Sequence, residues 1–200
     1  GKIIFGGKFT IYNSLSEIRM ARINPDGSND VNFNFGIGTN VEVSNSVVQS
    51  DGKIIIGGAF VYLNGITIHG IARLNSDGTF DPSFNMGTGV TRTTNNGWVS
   101  SIAIQSDGKI IIAGAFEFYN GISRSNLARL NTDGSLDLSF NVAYGGWNSL
   151  VNSIKLQLDG KIIAIGAFTA TNGTNIMRLN TNGTVDTSFI GDVYPGIKTV

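Results

Sequence analysis

The feature that most constrains the fold is a repeat of about fifty residues along the whole chain. The motif Gly-Lys-Ile begins at Gly1, Gly52, Gly108 and Gly160, so successive copies lie 51, 56 and 52 residues apart. The stretch Asp107–Phe140 is a full copy, and the same pattern appears at Asp51–Phe84. A period of this length is typical of arrays in which each unit buries its faces against its neighbours. We therefore expect a single repeat domain over 1–200, with units at about 1–42, 43–98, 99–150 and 151–200.

One copy predicts four short strands joined by tight turns. Val99–Gln105 alternates loosely, and Lys109–Phe116 is apolar at both parities, which predicts a strand buried on both faces. A polar Asn-Gly hairpin leads to a third strand at Asn126–Asn131, and an Asp-Gly turn leads to a fourth at Leu136–Phe140. A glycine near the end of the second strand predicts a bulge or a close backbone approach. This glycine is Gly7, Gly58, Gly114 and Gly166 in the four copies.

Four-stranded sheets that cover one another's faces around an axis are the blades of a β-propeller. The expected fold class is all-β: four antiparallel four-stranded blades. Two arrangements stay open. In one, Ile197–Val200 begins a strand that closes a four-bladed ring beside the N-terminal hairpin. In the other, the chain is an arc of a larger propeller with further repeats of the same polypeptide. Both ends fall inside repeat units, so we expect a window of a longer protein.

The repeat carries five short motifs in this order: Asp-Gly-Lys-Ile-Ile, Gly-Ala-Phe, Asn-Gly, Ala-Arg-Leu-Asn-x-Asp-Gly and Asp-x-Ser-Phe. This combination resembles the delta-60 repeat family. It is clearest in Asp51–Phe84 and Asp107–Phe140 and covers nearly the whole chain. The resemblance implies a propeller-like fold in bacterial exported or surface proteins and in phage proteins, with no catalytic residues to transfer. The chain departs from the pattern at Asn182, which replaces the aspartate of the second turn, and at Ser14, which replaces a glycine.

Composition excludes several classes of partner. Fourteen basic and fourteen acidic residues give zero net charge, so no basic surface for nucleic acid or an anionic membrane is expected. No apolar run reaches the ~18 residues that a membrane span needs. Without cysteine there is neither a disulfide framework nor thiolate chemistry.

Most charges recur with the repeat, which makes them candidates for framework and poor candidates for catalysis. In every copy an arginine lies eight residues before an aspartate, and we predict a partly buried, bidentate bridge within each blade. The pairs are Arg22–Asp30, Arg73–Asp81, Arg129–Asp137 and Arg178–Asp186. Paired aspartates such as Asp133 and Asp137 could also suggest calcium loops, but Asx turns explain both positions. No metal site and no cofactor is predicted.

Residues that break the repeat are the candidates for function. His69, the single histidine, has no second metal ligand or catalytic partner nearby in sequence. The connections between repeats carry aromatic and polar side chains that suit a sugar or peptide ligand. The candidate ligand-binding residues are Trp98, Trp147, Tyr144, Arg92 and Tyr194. The alternative is that the tryptophans fill gaps between blades.

Three functions follow from these patterns. The first is a non-enzymatic extracellular scaffold that displays loops to a protein or glycan at a cell or virion surface. The second is a structural spacer in an extracellular filament, adhesin or phage appendage. The third is a hydrolase or lyase that uses the asymmetric carboxylates Glu42, Glu117 or Asp192.

Overall fold

The computed structural model describes residues 1–140, 142, 150–167 and 175–189. Within those ranges the chain forms eighteen β-strands and no helix. None of these residues belongs to a helix with the length and apolarity that a membrane crossing requires. In chain order the strands are β1 (Ile3–Gly6), β2 (Ile11–Tyr12), β3 (Leu15–Ser16), β4 (Met20–Ile23), β5 (Val43–Val48), β6 (Ile54–Gly58), β7 (Tyr62–Leu63), β8 (Ile66–Thr67), β9 (Ile71–Leu74), β10 (Val90–Thr91), β11 (Trp98–Ile104), β12 (Ile110–Ala115), β13 (Phe118–Tyr119), β14 (Ile122–Ser123), β15 (Leu127–Leu130), β16 (Val151–Leu156), β17 (Ile162–Gly166) and β18 (Ile176–Leu179).

Each repeat contributes one antiparallel blade sheet, besides the smaller hairpin sheets of the first three repeats. The second, third and fourth repeats form β5-β6-β9, β11-β12-β15 and β16-β17-β18, and the first contributes the pair β1-β4. The central strand β12 pairs Ile110 with Ile104 on one side and with Leu130 on the other. All six residues of β12 are buried, as its apolar pattern predicts, because both faces of the sheet are covered.

The fourth predicted strand is reduced to a single bridge. Leu136 pairs with Leu130 alone, and the chain then turns at 137–140. The cause is the Asp137 side chain, whose Oδ1 accepts hydrogen bonds from the N and Oγ of Ser139 and so bends the backbone into an Asx turn. Equivalent bridges recur in the other three repeats. Each blade is therefore three strands and a bridge at most, rather than four full strands.

The bulge predicted at the strand-end glycine is present in the last three repeats. In the third repeat the β11–β12 register shifts between Val99 and Ser101, opposite Gly114. A Cβ on Gly114 would lie 2.0 Å from the carbonyl oxygen of Trp98, so only glycine permits this approach. Gly7 in the first repeat differs, since its nearest contact would be the Phe9 ring at 3.4 Å.

The Asn-Gly hairpin forms a second small sheet with the connection that precedes its repeat. In the third repeat β10 pairs with β13, and β13 with β14. Asn120 has a positive φ of 46°, and its Oδ1 accepts a hydrogen bond from Thr88 N at 3.3 Å. The hairpin lies against its own blade, because the buried Tyr119 Oη donates to Gly134 O at 2.5 Å. The asparagine thus fixes the connection as well as making the turn.

The blade sheets lie side by side in chain order. β5 packs against β1 and β11, and β11 packs against β16. The edge strands β5, β11 and β16 line a polar groove of about 380 Å³ that contains Ser46, Ser101 and Ser153. Within the described ranges no packing comparable to these pairs joins the first and last sheets. The prediction of a ring closed through Ile197–Val200 concerns residues outside those ranges.

We predict that Gly114→Ala lowers the free energy of unfolding by about 2 kcal/mol, because the new methyl overlaps the backbone of β11. Chemical denaturation measures the change. The matched control is Gly7→Ala at the equivalent position of the first repeat, where the Cβ has room and the change should stay within about 0.5 kcal/mol. Equal effects at the two glycines would contradict this account of the bulge.

Candidate functional site

The recurring charges form one network in every repeat. Asp81 Oδ2 accepts a hydrogen bond from Arg73 Nε at 2.7 Å and another from Lys53 Nζ at 2.8 Å, while its Oδ1 accepts from the N and Oγ of Ser83. The other three repeats place the arginine Nε 2.5–2.8 Å and the lysine Nζ 2.7–2.8 Å from the same carboxylate oxygen. The four Arg–Asp pairs nominated from sequence therefore lie in contact. The lysines, which are equally periodic, join them.

The bridge is not bidentate, which corrects the sequence prediction. Only Nε of Arg73 bonds to the carboxylate, because its Nη2 donates to Ser83 Oγ at 3.1 Å and its Nη1 faces the next repeat. The spacing of eight residues identified the partners, but it carried no information about which guanidinium nitrogen each partner takes.

These contacts keep the carboxylates ionised. The hydrogen bond from Lys2, supported by Arg22, lowers the pKa of Asp30 to about 2 despite its burial. Burial alone would raise the pKa of Asp81, but hydrogen bonds from Lys53, Ser83 and Arg73 outweigh it and hold that pKa well below its usual range. The same balance lowers the pKa of Asp137. The hydrogen bonds from Lys161 and Ser188 lower that of Asp186.

The arginines also connect neighbouring blades. Nη1 of an arginine donates to a backbone carbonyl in the Asn-x-Asp/Asn-Gly turn of the following repeat. The three bonds run from Arg22 to Ser76, from Arg73 to Thr132 and from Arg129 to Thr181. The measured distances are 2.8 Å for Arg73 and 2.6 Å for Arg129. Each ion network thus extends beyond its own blade.

A phenylalanine completes this contact. Arg129 Cζ lies 4.7 Å from the centroid of the Phe140 ring, in cation–π geometry. The buried ring covers Gly183 of the next repeat, where a Cβ would lie 2.9 Å from the ring and φ is +92°. Only glycine satisfies both conditions. We call the arginine–phenylalanine pair of one repeat and the turn of the next an interblade dock. The docks are Arg22/Phe33 on Gly78, Arg73/Phe84 on Gly134 and Arg129/Phe140 on Gly183.

Outside this framework, one cluster of polar and aromatic residues breaks the repeat. A tight loop at 92–95 is closed by the bridge between Thr91 and Asn96. Arg92 Nε lies 3.7 Å from Glu117 Oε1, and Glu117 Oε2 accepts hydrogen bonds from the N (2.9 Å) and Oγ1 of Thr93. The hydrogen bonds from Thr93, with help from Arg92, lower the pKa of Glu117. We call residues 92–95 with Glu117 and Trp98 the loop-92 cluster.

Trp98 follows this loop in the sequence as the first residue of β11 and pairs with Ala115. It is half-buried, so its ring neither fills a sealed gap nor stands fully in solvent. Arg92 and Trp98, nominated separately from sequence, thus adjoin the same end of β12. Trp147, Tyr144 and Tyr194 lie outside the described residues.

Glu42 and His69, which were also considered for chemistry, make no ion pair or side-chain hydrogen bond with this cluster. Glu42 Oε1 lies 3.9 Å from Lys8 Nζ at the junction of the first two repeats. His69 is half-buried with no hydrogen-bond partner at Nδ1, and its carbonyl accepts a hydrogen bond from Val90 N at 3.0 Å. Among the described residues no group of three or more His, Cys, Asp or Glu side chains could hold a metal. Asp192 lies outside them.

Sequence reasoning missed two features of this surface. The hairpins expose large apolar side chains at equivalent positions: Ile11 and Leu15, Tyr62 and Ile66, and Ile122. The interblade docks were also missed. The available signal was the recurrence of a phenylalanine at a fixed distance after each arginine, together with a turn glycine in every copy.

The repeats correspond to a known family. The model described as "Domain of unknown function (DUF5122) beta-propeller" matches residues 1–33, 49–84, 105–140 and 157–189. The chain belongs to this β-propeller family. The four matched segments of the DUF5122 propeller contain its central strands and its arginine–phenylalanine pairs. The predicted all-β propeller class is thereby confirmed.

Two solved structures show the wider similarity of the DUF5122 propeller. A protein of unknown function from Bacteroides caccae is 12% identical, with 90% of this chain and 78% of that chain covered and a TM-score of 0.35. The WD40 β-propeller domain of Doa1 is 14% identical, with 80% and 56% covered and a TM-score of 0.36. No curated protein matches the chain.

We predict that the propeller loses stability as the pH falls from about 4 toward 2. The folded pKa of each framework aspartate lies below the ordinary value of 3.8, so its pairing stabilises the fold above that value and is lost on protonation. Asp137→Asn should be less stable at neutral pH by about 3 kcal/mol and should show a flatter acid profile. Denaturation curves at a series of pH values measure both effects.

The control is Asp107→Asn, in an exposed turn where Asp107 Oδ1 accepts a hydrogen bond from Lys109 N at 3.1 Å. It should retain the acid profile of the wild type. An Asp137→Asn profile parallel to that of the wild type would contradict the role assigned to the network.

Proposed function

We propose that this propeller is a non-enzymatic binding scaffold that presents its irregular segments to a protein or glycan at a surface outside the cell. The loop-92 cluster is the observation that carries the proposal. It combines a half-buried indole with a partly exposed ion pair, whose side chains are 29% exposed for Arg92 and 40% for Glu117. An indole can stack on a ligand, and exposed charged groups can hydrogen-bond to it.

The charges support binding rather than catalysis. The framework carboxylates are occupied by cations within their own blades, so their task is structural. Glu117 accepts hydrogen bonds from Thr93, and its lowered pKa suits a fixed anion that binds, not a general acid that must hold a proton near neutral pH. Glu42 faces a lysine at a different junction, so the two carboxylates lie in separate settings.

The exposed hairpin residues favour a protein over a glycan as partner. Tyr62 and Ile66 are each 48% exposed, and equivalent apolar side chains project from the first and third repeats. Apolar surface repeated around the array suits a protein surface.

The spacer alternative rests on the interblade docks, which join the blades through a continuous series of ion networks. A spacer needs such rigidity and no loop-92 cluster.

We further propose that the repeats are of the delta-60 type, which their recurring sequence motifs support. We also propose that the chain is displayed on a bacterial cell or a virion. Partners are expected to be protein or glycan, without nucleic acid or membrane insertion, and no cofactor is expected.

The test compares Trp98→Ala with Tyr62→Ala, two aromatic truncations on different parts of the surface. The probes are a glycan microarray and intact bacterial cells. If the loop-92 cluster binds, Trp98→Ala weakens wild-type binding at least about tenfold, which corresponds to about 1.4 kcal/mol, and leaves the melting temperature within a few degrees. Binding that Trp98→Ala leaves intact, or a wild type that binds neither probe, would refute the proposal. Loss with Tyr62→Ala alone would move the site to the hairpins.

A further inference from the structure

Three charged residues cross the end of the hairpin sheet in the third repeat, between the second and fourth repeats. They follow or precede the paired residues of β10, β13 and β14 by one position, and they are Arg92, Glu117 and Arg124. Backbone bonds continue the register, because Glu117 N donates to Thr91 O at 2.9 Å and Arg124 N donates to Glu117 O at 2.7 Å. Residues opposite each other on neighbouring strands share a face of the sheet. We call Arg92, Glu117 and Arg124 the charged row, with Glu117 at its centre.

The second repeat carries apolar residues at the same three positions, Val41, Val61 and Ile68. Ile68 N donates to Val61 O at 3.0 Å, which is the bond that Arg124 N makes to Glu117 O. Ile68 is buried, and both valines are half-buried. The hairpin sheet therefore forms without charge at these positions, and the charged row does not belong to the repeated framework.

The charged row has a net charge of +1. Arg92 Nε lies 3.7 Å from Glu117 Oε1, whereas Arg124 forms no ion pair with any described residue. Outside the described ranges the sequence holds a single acidic residue, Asp192. A guanidinium stays charged at every physiological pH. The row thus carries one positive charge more than its ion pair neutralises.

The charged row is open to solvent in part. The side chains of Arg92 and Glu117 are partly exposed, and Arg124 is half-buried. Nε of both arginines is buried without a hydrogen-bond partner, so the Nη groups are the donors that can reach a ligand. Ile122, two residues before Arg124 along the hairpin, is 42% exposed. Guanidinium groups beside an apolar side chain suit a carboxylate that has an apolar neighbour.

We infer that the charged row binds an acidic segment of a partner protein, with an Asp or Glu carboxylate of that segment held by Arg124 and Arg92. The inference rests on the proposed binding function and gives the chemistry of its partner. Arg124 supplies the charge that the row does not neutralise, and Glu117 holds Arg92 beside it. Arginine clusters are a recurring means of recognising acidic segments. The exposed Ile122 favours a protein segment over an acidic sugar, which presents hydroxyl groups instead of apolar side chains.

An array of synthetic peptides tests this inference, with each Asp- or Glu-containing peptide placed beside its Asn or Gln twin. The whole chain is expected to bind acidic peptides that also contain an apolar residue, and to bind their amide twins at least about tenfold more weakly. Arg124→Gln should remove this preference, because it deletes the surplus charge and its donors. Arg92→Gln should weaken it in the same direction and gives a second, independent measurement on the row.

The matched control is Arg19→Gln in the hairpin of the first repeat. Nη1 of Arg19 donates to a backbone carbonyl, that of Lys8, as Nη1 of Arg124 donates to Ser123 O. The control therefore removes the same charge and a similar bond away from the charged row, and it should bind like the wild type. The melting temperatures of the variants should stay within a few degrees of the wild type.

Several results would overturn the inference: equal losses in Arg19→Gln and Arg124→Gln, amide twins bound as tightly as acidic peptides, or no peptide bound at all. Binding to glycans that contain uronic acids, without binding to peptides, would overturn the protein partner and assign the row to a sugar. Glycan binding that Trp98→Ala weakens and Arg124→Gln leaves unchanged would overturn this inference while the proposed function stands. A chain that binds no glycan, cell or peptide would refute both.

Discussion

The blade-to-blade contacts depend on one buried carboxylate in each repeat. Removing a carboxylate from water costs several kcal/mol, and Asp137 offsets that cost with four hydrogen bonds, from Arg129 Nε, Lys109 Nζ and the N and Oγ of Ser139. The bond to Nε fixes the plane of the guanidinium, so its face lies on the Phe140 ring and its Nη1 meets the next repeat. An ion pair inside one blade therefore determines where the following blade sits.

This arrangement explains how a chain with few charges uses them. The repeated lysines, arginines and aspartates serve the networks and turns, and the repeated glycines admit the docked rings and the bulged strands. Residues outside the repeat pattern are left for contacts with other molecules. In the described part of the chain they gather at the loop-92 cluster.

The sequence predicted the parts of the fold that depend on local chemistry. Apolar residues at successive positions identified β12 as a strand buried on both faces, the strand-end glycines located the bulges, and a spacing of eight residues identified the Arg–Asp partners.

The sequence did not predict contacts between repeats. Spacing within a copy shows which residues face each other on adjacent strands, but not which atoms face the next blade. The bidentate bridge was wrong for that reason. The length of the fourth strand was overestimated. The backbone N–H of Ser139 donates to the Asp137 side chain instead of pairing with a neighbouring strand. Of the candidate site, Arg92 and Trp98 were nominated because they lie in a connection between repeats, but the structure around them depends on the fold of the 92–95 loop.

The most direct test of the central claim is a double-mutant cycle between Phe84 and Gly134, residues of different repeats, with free energies of unfolding from chemical denaturation. A Cβ on Gly134 would lie 2.7 Å from the Phe84 ring. Gly134→Ala should therefore be strongly destabilising in the wild type and much less so in Phe84→Ala, with a coupling energy of about 1–2 kcal/mol. Additive effects, within about 0.5 kcal/mol, would show that the ring and the turn glycine do not form the contact on which the blades depend.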